Sequence, residues 1–187
     1  PEMVRAVAAT TNLFDLLDLP EVLNYLAAGV VAQDWDRVIK NIYLYRDTEG
    51  TQLWQWMPWD KDLSFGKTGL VNDSVTAVKD GTSGASGEPY VSHPFYGMAG
   101  RNCCGVNNLM DAVYTMPVTR EMFLRRLRTL MDEILQPPGT PAGQLKYEAR
   151  LDALYTQLRA DAALDLARWG AGYGVLQDLA TAMAQLK

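Results

Sequence analysis

The chain has 187 residues, of which 48% are hydrophobic and 21% charged, with a formal net charge of -5. This length fits one domain, or one domain plus an appendage, and the ordinary apolar content excludes bulk disorder and collagen-like repeats. No run approaches the roughly 18 apolar residues of a membrane span, and the acidic balance argues against a chain-wide grip on nucleic acid. Pro1 opens the chain without the basic and apolar regions of a signal peptide, so such a leader was either removed or never included. The cysteines, Cys103 and Cys104, are adjacent. Vicinal cysteines are held in poor geometry for a mutual bridge, and two thiols are too few for a zinc site. They read as one packed and one exposed thiol, or as partners of a segment outside this chain.

The first predicted helix follows Asp18. Asp18 is its cap, Pro20 lies in the first turn, and Glu21 suits the positive end. Val22, Leu23, Tyr25, Leu26 and Val30 recur at helical spacing, and Gly29 weakens the end of the pattern. Upstream, Leu13, Phe14, Leu16, Leu17 and Leu19 form an apolar cluster that is helical or packs against that helix. Ile42 to Tyr45 and Leu53 to Met57 then read as two strands joined by the polar turn Arg46 to Gly50, with Pro58 as a stop. Trp54 and Trp56 share a strand face and read as packing residues rather than a ligand-stacking platform.

Residues 67 to 101 form a long Gly/Ser-rich loop, and a stretch of this kind inside a domain is functional or disordered. The remainder is helical. Thr119 is the expected cap of a helix with Met122, Phe123, Leu127, Leu130, Met131, Ile134 and Leu135 on its apolar stripe. Arg120, Arg125, Arg126 and Arg128 populate its other side, as a solvated face rather than a phosphate site. Pro137-Pro138-Gly139 ends it. A second long helix is expected from about Pro141 to Trp169, with Leu145, Leu151, Leu154, Leu158 and Leu164 inward, and a short one from Val175 to Leu186. The fold class is therefore α+β and predominantly helical, with a small antiparallel hairpin packed on helices.

Asp34, Asp36, Asp47, Asp60 and Asp62 crowd the region from Asp34 to Gly66. Two precede the first strand and two follow the second. A hairpin returns the chain, so Asp34 or Asp36, Asn41, and Asp60 or Asp62 can converge at its open end. Hard divalent cations take such oxygen ligands, with phosphate supplying the rest; solvated turn carboxylates are the plain alternative. The order adds weight. Asn41 follows Asp36 by five positions, and an Asp-containing turn comes about twenty residues later. A protein-kinase catalytic loop sets its Asp and Asn at that separation and delivers a metal-binding Asp on a strand pair.

These residues carry a resemblance. Asp34-Trp35-Asp36-Arg37, then Lys40-Asn41-Ile42-Tyr43-Leu44-Tyr45-Arg46-Asp47, then Trp54-Gln55-Trp56-Met57-Pro58-Trp59-Asp60-Lys61-Asp62-Leu63-Ser64-Phe65-Gly66 resemble the spore-coat CotH kinase family, an atypical group of protein kinases. His93-Pro94-Phe95 and Phe123-Leu124-Arg125-Arg126-Leu127 look like the family's downstream course, and the likeness spans roughly residues 12 to 187. The resemblance implies Asp36 as catalytic aspartate, Asn41 and Asp60 as metal ligands, and Asp62 as a supporting metal-site residue. It implies ATP with magnesium or manganese as cofactors and a protein Ser or Thr as acceptor. It also implies a secreted, cell-envelope or spore-surface location. Ile42 stands where the family more often has an aromatic residue.

A kinase also needs an N-terminal lobe with a strand-borne Lys. The residues before Asp36 contain no Lys, and Arg5 is their only basic residue. The chain is thus expected to be the catalytic-loop and C-lobe part, with the N-lobe as its missing intramolecular partner. Arg101 is a candidate phosphate contact. His93 reads as structural or exposed rather than as a general base, since no Ser or Cys motif accompanies it. The alternative function is a catalytically silent cell-surface or spore-surface binding module presenting the 67 to 101 loop. A metal-dependent phosphoesterase ranks lower, for want of the histidines such sites employ.

Overall fold

The computed structural model describes residues 12–34, 36–37, 40–65, 94–95, 107–170 and 178–187. Most of the 67 to 101 loop, His93, Arg101 and both cysteines lie outside them. The described part is mainly helical with one antiparallel hairpin, as the sequence predicts.

A short helix α1 (Leu13–Leu16) leads into α2 (Leu19–Val31). The Asp18 carboxylate accepts the Glu21 N–H at 3.4 Å, and Pro20 sits in the first turn, so the predicted start of α2 is the observed one. Its apolar stripe is the centre of the core: Val22, Leu26 and Ala27 are fully buried, with Leu13 and Leu17 beside them. Phe14, expected in the same cluster, is exposed, because the single turn of α1 points Leu13 inward and its neighbour out.

Strand β1 (Ile42–Arg46) pairs antiparallel with β2 (Trp54–Pro58), from Ile42 opposite Pro58 to Arg46 opposite Trp54. Pro58 is thus the last residue of the strand rather than a stop before its end. A two-stranded ribbon has only edges, where a missing N–H costs little. Trp56 is buried, edge-to-face with Tyr25 of α2 at 5.5 Å. Trp54 packs at the core's margin under Arg46, while Trp59 is exposed against Tyr43. The packing role read for Trp54 and Trp56 is what the structure shows.

Asp47 organises the hairpin loop, accepting the N–H groups of Gly50 at 2.9 Å and Thr51 at 2.8 Å. A Cβ on Gly50 would lie 2.2 Å from that carboxylate, so the turn needs glycine there. The Thr51 N–H bond, aided by Gly50, holds the Asp47 carboxyl below its ordinary value of 3.8. A depressed folded-state pKa gives stability that is present above the unfolded value and lost as pH falls through the folded one. Asp47→Ala is therefore expected to lower the thermal midpoint at neutral pH. The gap from wild type should close as the pH falls below 3.8, read by thermal melts across that range. A gap independent of pH would refute the carboxylate's role.

The structure adds a helix the sequence reading left out, α3 (Asn108–Thr115). Asn107 caps it, accepting the N–H groups of Leu109 and Met110, each at 3.2 Å. Met110, Val113 and Tyr114 on this helix are fully buried. Next comes α4 (Pro117–Ile134), which starts with proline in its first turn. Thr119 is consequently not a cap. Its buried hydroxyl donates to the carbonyls of Val113, at 2.6 Å, and Met116, at 3.2 Å, and ties the end of α3 to the start of α4. Phe123 and Leu127 are buried against α2, but Met131 and Leu135 at the far end are exposed. Phe95 joins Tyr114 and Phe123 in an aromatic group with centroids 5.0 to 6.1 Å apart. The α4 arginines have local partners: Arg120 lies 4.5 Å above Phe95, Arg125 pairs with Glu121, Arg126 with Asn24 and Arg128 with Asp132.

After a single 3-10 turn (Ala142–Gln144), α5 (Lys146–Trp169) packs mainly on α6 (Leu179–Leu186), which Asp178 caps through the Thr181 N–H at 2.9 Å. Of the α5 leucines expected inward, only Leu151 is buried, while Leu158 is 42% and Leu164 71% exposed. Helical spacing reveals that leucines share a face but not what lies opposite that face. No helix among the described residues is long and apolar enough to cross a membrane.

Candidate functional site

The site begins where α2 ends. Gln33 takes a left-handed conformation with φ 50, and its N–H bonds the Val30 carbonyl at 3.1 Å. The Asp34 N–H bonds the Gly29 carbonyl at 2.9 Å. This paired closure reverses the chain beneath the helix and delivers Asp34, Asp36 and Arg37 to the interior, all 4% exposed or less.

Arg37 is the keystone of that turn. Its Nη1 donates to the carbonyls of Gly29, at 3.3 Å, and Asp34, at 3.4 Å. A cation is favoured there because the helix presents the negative end of its dipole. The guanidinium charge also acts on the buried Tyr114 phenol. Burial pushes that phenol up to about 12, against the opposing pull of Arg37. Gly29 makes room for the arm: a Cβ there would meet Arg37 Cδ at 2.9 Å.

Asp34 and Asp36 are then divided by their partners. Asp34 Oδ1 accepts the Asp36 N–H at 3.0 Å, and its Oδ2 pairs with Lys61 Nζ at 2.8 Å. Asp36 Oδ2 receives Lys40 Nζ at 3.1 Å and Asn41 Nδ2 at 2.9 Å. Asp36 Oδ1 is buried and has no hydrogen-bond partner among the described residues. A buried carboxylate oxygen without a donor is costly, and such an exception points to a ligand group, a proton or a cation at that oxygen.

The open end of the hairpin brings in the other half. The Trp59 N–H bonds the Asn41 carbonyl at 3.1 Å, one step beyond the Ile42 and Pro58 pair. Asn41 Nδ2 also donates to the Asp60 carbonyl at 3.0 Å. A single carboxamide therefore touches both the Asp36 carboxylate and the Asp60 backbone. Its oxygen is left as the atom for any further ligand. Asn41 and Asp60 both hold left-handed backbones, with φ 60 and 49. Asn and Asp tolerate this conformation better than most residues, and such strained positions gather at functional sites.

The Asp60 carboxylate is exposed at the mouth of this arrangement. Asp62 is exposed as well, and no contact joins it to Asp36, Asn41 or Asp60 among the described residues. No three His, Cys, Asp or Glu side chains are grouped to hold a metal ion among the described residues. The fit to a divalent cation rests instead on the side-chain oxygens of Asn41 and Asp60 at the hairpin mouth, beside the Asp36 carboxylate. Magnesium accepts so small a protein set when phosphate oxygens and water complete its shell.

Three members of the site were not singled out by sequence reasoning. Arg37 gave only an unremarked basic residue after Asp36. Lys61 sits between two aspartates, which is the one local sign of its pairing. Tyr25 reads as a core residue, yet its hydroxyl accepts from Lys61 Nζ at 2.9 Å. Burial raises the Tyr25 phenol well above its usual pKa, and the Asp34 charge adds to this. A cavity of about 420 Å3 opens beside these groups, with Tyr25, Gly29, Asp34, Trp56, Lys61 and Phe65 among its walls.

A family model described as CotH kinase protein matches residues 2–182, nearly the whole chain. No curated protein and no solved structure matches.

Proposed function

We propose, from the premise that this chain belongs to the CotH kinase family, that it holds the catalytic and metal half of a phosphoryl-transfer site. The reaction moves the γ-phosphate of ATP to a Ser or Thr hydroxyl of a protein. The observation that carries this reading is the Asn41 carboxamide between the Asp36 carboxylate and the Asp60 backbone, with Asp36 Oδ1 buried and unpartnered among the described residues.

In this reading Asp36 Oδ1 accepts a hydrogen bond from the attacking hydroxyl and takes its proton as the new P–O bond forms and the bond from the γ-phosphorus to the bridging oxygen breaks, releasing ADP. Lys40 and Asn41 occupy the other Asp36 oxygen, so only one is left to meet the acceptor. Asn41 Oδ1 and the Asp60 carboxylate would hold magnesium or manganese, with Asp62 supporting from the same turn. Bound together, ATP supplies the phosphoryl group and the cation offsets its charge. Arg101 is the proposed phosphate contact on this chain. The strand-borne lysine of the nucleotide half would come from an N-terminal lobe. The exposed hairpin side chains Tyr43, Tyr45, Met57 and Trp59 support such a partner. A spore-surface, envelope or secreted location belongs to the same proposal and rests on the family alone.

The experiment is a thermal melt of the full chain, including any upstream lobe, with and without ATP and magnesium. A ligand that binds only the folded state stabilises by about 2.7 kcal/mol at a hundredfold excess over Kd. The expected result is a rise of several degrees that needs both ATP and the cation and disappears in Asp60→Ala. No shift at millimolar ATP and magnesium would favour the silent binding module.

A further inference from the structure

We infer that Lys61 and Asp34 form a positioning clamp that sets the Asp60 turn against the Asp36 loop; this deepens the proposed phosphoryl-transfer reading and rests on it. Neither residue need touch nucleotide or acceptor to do this. Lys61 directly follows Asp60, so its anchorage fixes the turn that carries the Asp60 carboxylate. Its Nζ meets Asp34 Oδ2 at 2.8 Å and the Tyr25 hydroxyl at 2.9 Å, and lies 5.2 Å from the Tyr25 ring centroid. The Lys61 side chain is 24% exposed and that of Asp34 only 5%.

The other oxygen of Asp34 accepts the Asp36 N–H at 3.0 Å. One carboxylate thus spans the two segments, with the ammonium following Asp60 on one oxygen and the amide of Asp36 on the other. Among the described residues, Asn41 Nδ2 and the Trp59 N–H also link the segments at the hairpin mouth, and the Phe65 N–H bonds the Ala32 carbonyl at 2.6 Å on the other side of the turn. The Asn41 link constrains the Asp36 side chain, whereas Asp34 constrains its backbone. Together they fix Asp36 from two directions. Tyr25 anchors the whole clamp to α2, the rigid element of the core.

The clamp predicts a loss of turnover more than of substrate affinity, because displacements near 1 Å at reacting groups cost rate steeply. The test compares Lys61→Gln, Asp34→Asn, their double variant and Lys61→Arg in the full chain, by steady-state phosphorylation kinetics and by hydrogen exchange at the Asp36 amide. Each of the first two should lower kcat by about 10- to 100-fold with little change in KM for ATP. The double variant should fall no further than the worse single one, and Lys61→Arg should recover most of the rate. Protection of the Asp36 amide should drop roughly 10-fold in Lys61→Gln while the α4 amides keep theirs.

Additive losses in the double variant, or unchanged protection at Asp36, would overturn the clamp even in an active enzyme. Protection lost in Lys61→Gln as expected, with a wild-type chain that transfers no phosphate, would instead overturn the phosphoryl-transfer reading, and the clamp's purpose with it. Should Asp34→Asn fail to fold, Lys61→Gln and Lys61→Arg still decide between these outcomes.

Discussion

Asp60→Ala is expected to lower kcat for magnesium-dependent phosphorylation by about 10²- to 10³-fold, the size of loss seen when one preorganised charge-stabilising group is removed. The fold should survive the change with a modest loss of stability. It is the Asp60 carbonyl, not its carboxylate, that accepts from Asn41, so the 3.0 Å link survives truncation of the side chain. The carboxylate itself is exposed and leaves no cavity. The main structural cost is an alanine at φ 49, about 1 to 2 kcal/mol. Asp36→Asn should act at a different step, by removing the proton acceptor, with a loss of about 10²- to 10⁴-fold. The two variants separate in cation titrations: excess magnesium or manganese should partly restore Asp60→Ala and leave Asp36→Asn unchanged. Retention of wild-type autophosphorylation by Asp60→Ala would end the assignment.

The largest stability effect should come from Arg37→Met. Arg37 is fully buried and donates to two carbonyls at the closing turn of α2. Methionine fills much of the volume but donates nothing, so those two carbonyls lose a charged donor. A hydrogen bond to a charged donor typically contributes about 1.5–3 kcal/mol, and two are lost here. For a chain of this size each kcal/mol shifts the thermal midpoint by about 2–4 °C, so a fall of roughly 10 °C is expected. Urea unfolding checks the free energy directly. A loss below about 1 kcal/mol would mean that the turn is held by its backbone hydrogen bonds alone.

Arg37→Met and Asp60→Ala should therefore dissociate. One removes stability and leaves the exposed carboxylate in place; the other removes the carboxylate and leaves the fold. Their contrast follows from burial, since a fully interior cation and a surface carboxylate answer to different surroundings.

Much of this architecture was legible in the residues. Asp18, Pro20 and Glu21 announce the start of α2, and the strand pattern around Ile42 and Trp54 announces the hairpin. The approach of Asn41 to Asp60 follows from the hairpin itself, which brings the residues before one strand beside those after the other. α3 escaped notice because eight residues carry barely two turns of periodicity, and its Asn107 cap follows a run rich in Gly and Asn that reads as loop. The helix start at Pro117 rather than Thr119 turned on a buried hydroxyl that bonds backward to Val113.

The chemical types and their order are written in the residues: Asp, then Asn, then a strand pair and a second Asp, with local caps and turns that depend only on near neighbours. Tertiary structure alone decided how those groups are shared out. Lys61 goes to Asp34 and Lys40 to Asp36, Arg37 is sealed beneath α2, and one oxygen of Asp36 is left without a partner among the described residues. It also decided that Leu158 and Leu164 of α5 are exposed while Leu151 is buried. The physical reason is common to all of these. Which charge meets which, and which atoms lose water, depend on side chains brought together from distant parts of the chain, and no local period or spacing encodes that meeting.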